Sequence, residues 1–231
     1  MKASTLKKLL LKKLDTHLEP DGFKRASDKF YGDKYCRNLE EVRLSLNIST
    51  VSRFGVLEAD LPYAGIRFNL VEDLVARFEA PQPLLELKPG GTTERTTIGV
   101  DLNPGFPLGL SRKTWKIRDE REVAVAAKEI AVFGVEKSAP FFEKYSDPRR
   151  ALALLTGHDK RSWSSSGIAK LRVPRAIAMT FLLDGPDAAK RVGASELASL
   201  GEEDRTAIRL FLDQIEGAQW LGLQPSTPTS R

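Results

Sequence analysis

The chain has 231 residues, 41% hydrophobic and 29% charged, a composition typical of a soluble globular protein with ample material for a buried core. Its whole net charge of +5 lies in the opening MKASTLKKLLLKKL, where Lys2, Lys7, Lys8, Lys12 and Lys13 meet no acid; the rest carries 31 bases and 31 acids, which excludes a generally basic protein. No stretch approaches 18 consecutive apolar residues, which excludes a membrane-spanning helix. The single Cys36 has no partner for an intramolecular disulfide.

The lysines interrupt every apolar run near the N-terminus, so the segment lacks the continuous apolar region of a secretory signal. A reducing, bacterial-type cytoplasm is the expected setting.

Residues 4–18 read as an amphipathic helix. Leu6, Leu9, Leu10, Leu14 and Leu18 recur at three- and four-residue steps, with Ser4 or Thr5 as cap and Pro20-Asp21-Gly22 as stop. The period then changes to two: Val42, Leu44, Leu46 and Ile48 alternate with Arg43, Ser45, Asn47 and Ser49, as in an antiparallel strand with one buried face. Shorter strands are expected at 23–26, 29–36 and 56–68, a helix at 70–79, and a further strand through Thr96, Ile98, Val100 and Leu102. From about residue 118 the pattern is helical, with a break expected at Ser138-Ala139-Pro140 and a short helix from Pro148 to Leu155. Helices follow near 174–184, 187–199 and 202–216. Strands precede most of the helices, so the expected class is α+β: a twisted antiparallel sheet packed by the N-terminal helix and later helices. The expected organisation is an α+β core over 1–157, a basic irregular loop over 158–173, a helical segment packed on the core over 174–223, and a disordered tail over 224–231.

Chemistry-bearing motifs are sparse. With His17, His158 and Cys36 the only residues of their types, a multi-histidine zinc site has no ligand set within one chain. No phosphate-binding loop, dinucleotide fingerprint or nucleophile elbow is present, so no cofactor and no metal is expected. An Asp followed by Glu-x-Lys is the pattern of a magnesium-dependent nuclease, and Asp60, or more loosely Asp73, precedes Glu86-Leu87-Lys88; a charged edge strand is the simpler reading. The loop His158–Arg175 sets Lys160, Arg161, Lys170, Arg172 and Arg175 around Trp163, against the lone acid Asp159. Such a set reads as a mobile connector, as a protein-contact loop with Trp and Arg anchors, or as a phosphate and base contact. The lysine-rich helix reads first as the solvated side of a structural helix.

Several segments together resemble a bacterial domain-of-unknown-function family, number four-three-zero-four. They are Asp21-Gly22-Phe23-Lys24-Arg25, Lys29-Phe30-Tyr31, the alternating strand 42–49, Thr114-Trp115-Lys116-Ile117, and Ser138 to Asp147 with its Pro140-Phe141-Phe142 core. The resemblance covers about residues 4–155. Gly32, where members often carry a basic residue, and the Pro- and Gly-rich stretch 80–95 depart from it. It implies an α+β domain and brings no catalytic residues.

The functional expectation is a cytosolic, non-enzymatic interaction protein that binds a protein partner, with an immunity- or defence-type role as a specific version. Arg43 and Asn47 on the polar strand face and the loop residues Lys160, Arg161, Trp163, Lys170 and Arg172 are the candidate binding residues. Nucleic-acid binding through the lysine helix and the Trp163 loop is the alternative, and the magnesium nuclease a remote one.

Overall fold

A computed structural model describes residues 1–28, 32–78, 96–102, 113–157, 169–198 and 200–218. The fold is α+β, and the chain divides into two compact units, Met1–Ile66 with Gly99–Lys144, and Arg67–Ile98 with Tyr145–Arg231. The division differs from the sequence expectation, because the helices after residues 68 and 147 group with the C-terminal ones. The expected tail 224–231 lies outside the described residues.

The first unit opens with α1, Ala3–Leu18. It begins at Ala3 without a side-chain cap, ahead of Ser4 and Thr5. Leu6, Leu10, Leu14 and Leu18 are buried as their spacing requires; Leu9 is only half-buried, and Leu11 takes its place in the stripe. A 3-10 turn, Glu19–Asp21, and left-handed Gly22 then deliver Phe23 into the core. Strands β1 (Lys24–Asp28), β2 (Gly32–Asn38), β3 (Val42–Arg53) and β4 (Val56–Phe68) follow. With β5 (Ile98–Asp101) they form the order β1-β2-β3-β4-β5, while β6 (Trp115–Ile117) pairs with β4. The pairs β1–β2, β2–β3 and β4–β6 run antiparallel.

Alternation places Tyr35 beside Leu46, its cross-strand partner, on the face that meets α1. The Tyr35 hydroxyl donates to the Leu11 carbonyl at 3.0 Å and to Asp15 Oδ1 at 2.9 Å, which ties the sheet to the helix. Lys7 Nζ lies 2.7 Å from Asp33 Oδ2, and Arg25 pairs with Asp15 at 3.1 Å, at the rim of the same contact.

Helix α3, Glu120–Tyr145, corrects the expected break at Pro140, because it runs through the proline. An interior proline normally costs about 3 kcal/mol of helix stability. Continuing the helix keeps Phe141, Phe142 and Tyr145 on the buried side that carries Val123, Ala127 and Ile130, which offsets that cost. Pro140 is solvent-exposed, so the Glu136 carbonyl it leaves unbonded faces water. Phe142 lies 6.3 Å from Phe23 between ring centroids, closing the core against the entry turn.

The second unit is helical. It holds α2 (Asn69–Phe78), α4 (Pro148–Leu155), α5 (Ala169–Asp184), α6 (Pro186–Leu197) and α7 (Glu202–Ala218). Nine consecutive residues of α5, Val173 to Phe181, are buried, with Val173, Ala176, Ile177, Ala178 and Met179 almost wholly out of solvent, so this helix is the centre around which the others pack. On α7, Ile208, Phe211 and Ile215 are buried at the spacing read from sequence. Leu212 packs on Gly193 of α6, where an added Cβ would sit 2.6 Å from Leu212 Cδ1.

Candidate interaction surface

Strands β3 and β4 are the longest of the sheet, 12 and 13 residues, and a two-residue turn, Phe54-Gly55, joins them. Both turn residues have positive φ, 49° and 80°, as a type I′ hairpin demands. Such turns favour Asn-Gly because glycine has no Cβ and asparagine's short polar side chain tolerates the left-handed region, whereas for a bulky residue the cost is about 1–2 kcal/mol. Phe54 is also the most exposed large hydrophobic residue described, with its whole ring in solvent. This position therefore carries two costs at once, backbone strain and an unburied aromatic ring.

The hairpin is open on its β3 side near the turn and flanked on its β4 side. Described pairing of β2 with β3 ends at Asp33 opposite Ile48, whereas β6 pairs with β4 at Leu57, Glu58 and Ala59, beginning two residues after Gly55. From Ile48 to Arg53 β3 advances roughly 17 Å at the usual rise of a strand. Val51, Ser52, Arg53, Phe54 and Gly55 are all exposed along that edge, whereas Leu57 and Ala59 of β4 are buried. Arg53 Nε lies 3.9 Å from Glu58 Oε2 across the hairpin, a contact that leaves much of the guanidinium in water.

Beside the hairpin, on β6, Trp115 is buried and immobilised. Its Nε1 donates to Glu129 Oε2 at 3.0 Å, its ring meets Phe133 edge-on at 5.5 Å, and Lys113 Nζ sits 4.9 Å above its centroid. This tryptophan anchors β6 to α3, and its apolar surface is not offered to a ligand.

The residues singled out from sequence fall in different places. Lys160, Arg161 and Trp163 lie outside the described residues, as do Glu86 and Lys88; Lys170 is in the first turn of α5. Arg172 and Arg175 belong to α5 rather than to an irregular loop. Arg172 reaches both oxygens of Glu196, at 3.0 and 2.6 Å, and also donates to the Leu155 carbonyl. Arg175 clasps Glu72 with Nε to Oε1 at 2.7 Å and Nη2 to Oε2 at 2.8 Å, while the Thr97 hydroxyl adds a 2.8 Å bond to Oε1. Both guanidinium groups are engaged in internal carboxylate pairs, which removes them from the cations free to meet phosphate.

Arg43 and Asn47 do share one face of β3, with Ser45 between them. That face is partly closed: Ser45 is buried and donates to the Gly65 carbonyl at 3.2 Å, and Lys34 is buried as well. Arg43 donates to Asn38 Oδ1 at 2.9 Å, and Asn47 Oδ1 is buried without a hydrogen bond. The open, wholly polar strand face expected from alternation is thus reduced to its margins. Phe54 was missed because alternation describes strands and passes over the turn between them; the signal was Arg53-Phe54-Gly55 standing where two alternating segments meet.

Among the described residues, no group of three or more His, Cys, Asp and Glu side chains is placed to hold a metal ion, and no helix is long and apolar enough to cross a membrane. No family model matches the chain, and neither the curated proteins nor the solved structures give a significant match.

Proposed function

We propose that this is a protein-binding domain that docks the tip of its β3–β4 hairpin into an apolar socket on a partner protein. The observation that carries the reading is Phe54, strained at φ 49° and fully exposed at the turn of the β3–β4 hairpin. Aromatic residues that insert into a partner's pocket are the usual energetic anchors of such contacts, and Arg53 beside it suits an acidic rim. An immunity- or defence-type partner is the narrower version of this proposal, and kinship with the domain-of-unknown-function family belongs to it too. Nucleic-acid binding is less well supported, because two of its expected cations, Arg172 and Arg175, already hold carboxylates.

The test uses Phe54→Asn. Asparagine suits a type I′ turn, so the variant should be more thermally stable than the parent, with its melting midpoint raised by a few degrees. It should also lose a stoichiometric partner that the parent recovers in pull-downs from its native host. Undiminished recovery by Phe54→Asn, or no recovered partner with either protein, would overturn the proposal.

A further inference from the structure

Helix α3 turns one face into the core and leaves the opposite face in water. That outer face is not the uniformly charged surface expected of a solvated helix. Val125 and Val132 stand on it 60% and 46% exposed. At 100° per residue, Arg121, Val125, Lys128, Val132, Glu136, Ala139 and Glu143 fall within about 80° of arc, a narrow stripe roughly 33 Å long. All of them are exposed.

The order along this stripe is self-complementary about Val132. Four residues to either side stand Lys128 and Glu136, seven to either side Val125 and Ala139, and eleven to either side Arg121 and Glu143. A two-fold axis perpendicular to the helix at Val132 would set each base against an acid of the second copy and each small apolar residue against another. None of these four charged side chains has an ion-pair or hydrogen-bond partner among the described residues. A symmetric contact of this kind is isologous, the same patch on both subunits.

We propose that this face of α3 is the contact between two copies of the chain, packed as an antiparallel helix pair centred on Val132. The occupant is a second copy because charge complementarity of this order is met by the same stripe reversed. A parallel arrangement would set Arg121 against Arg121 and Glu143 against Glu143. The stripe is narrow and its apolar part small, well short of the surface that a permanent dimer buries, so association is weak and reversible. Val132 meets its own copy at the axis, and four ion pairs, two of each kind, flank it and set the antiparallel direction.

Sedimentation equilibrium between about 5 μM and 500 μM tests this directly. The parent should dimerise, and raising salt to 1 M should weaken the dimer because the ion pairs are solvent-exposed. Lys128→Glu alone, or Glu136→Lys alone, sets like charges together twice per dimer and should weaken association at least about 10-fold. Mixing the two variants restores both pairs in the heterodimer alone, so the mixture should associate as the parent does. Both positions of the test are exposed, and circular dichroism checks that each variant keeps the parent's fold. A parent that stays monomeric throughout, a Lys128→Glu chain that dimerises as well as the parent, or a mixture no better than its components would overturn the proposal.

Discussion

Replacing Glu72 by Gln removes one negative charge from the interior of the helical unit and leaves the shape almost unchanged. Glu72 is 2% exposed and Arg175 4%, and the fork between them closes at 2.7 and 2.8 Å. The carboxylate has a third partner in the Thr97 hydroxyl, which itself accepts from the Phe68 amide at 3.0 Å. Glutamine can still accept from Thr97 through its one oxygen, but its amide nitrogen then faces the guanidinium, and Arg175 becomes a buried cation without a counter-charge. Removing one partner of a buried pair in this way costs about 3–5 kcal/mol, far more than the pair itself contributes. Removing both is milder: Glu72→Gln with Arg175→Met leaves no buried charge, so the double variant should be more stable than Glu72→Gln alone. Native-state hydrogen exchange of the α5 amides reads the unit that contains the pair. Their exchange should quicken by roughly 10²–10⁴-fold in Glu72→Gln, following 1.36 kcal/mol per tenfold change. A change below about fivefold, or a double variant less stable than the single one, would refute the argument that an uncompensated interior charge sets the cost.

Tyr35 gives a dependence on pH. Burial first, then the hydrogen bond to Asp15, pushes its hydroxyl far above the usual phenol range. The folded chain therefore keeps a proton that the unfolded chain releases above about pH 10, so stability is intact below that pH and falls as pH rises past it, by up to about 1.4 kcal/mol per unit. Tyr35→Phe loses two hydrogen bonds at pH 7 but escapes this slope, so its urea midpoint should approach the parent's between pH 9 and 11.5; parallel curves would refute the assignment. At Gly99, an added Cβ would lie 1.6 Å from the Tyr63 hydroxyl oxygen and 1.9 Å from Cζ, so Gly99→Ala displaces the ring and should cost about 1–3 kcal/mol. In a Tyr63→Ala background the same change should cost much less, and additive melting shifts from the double-mutant cycle would sink that account. Gly193→Ala meets Leu212 in the same manner, and Leu212→Ala should relieve it; equal losses in both backgrounds would count against the close helix contact.

Much of the framework could be read directly from residue order. The leucine steps of α1, the two-residue period of β3 and the Ile208, Phe211, Ile215 spacing of α7 each name a buried face from local periodicity, and those faces are buried. The Pro140 break was a local inference of the same kind, and it gave way because Phe141, Phe142 and Tyr145 reach the core only if the helix continues. Arg172 and Arg175 were legible as cations, whereas Glu196 and Glu72, the groups that neutralise them, lie 24 and 103 residues away in sequence. No spacing rule connects residues so far apart.

The charge of the opening segment shows the same division. Sequence alone placed the five lysines on a helix with a leucine stripe, and it determined which elements form and which sides they bury, since periodicity and charge act over a few residues. Only the tertiary structure decided that Lys7 serves Asp33, that Arg175 is held inside, and that Phe54 stands fully exposed at the hairpin turn. Those outcomes depend on which neighbours long-range packing brings within a few ångströms, and exposure and electrostatic partnership are set by those neighbours rather than by the residue itself.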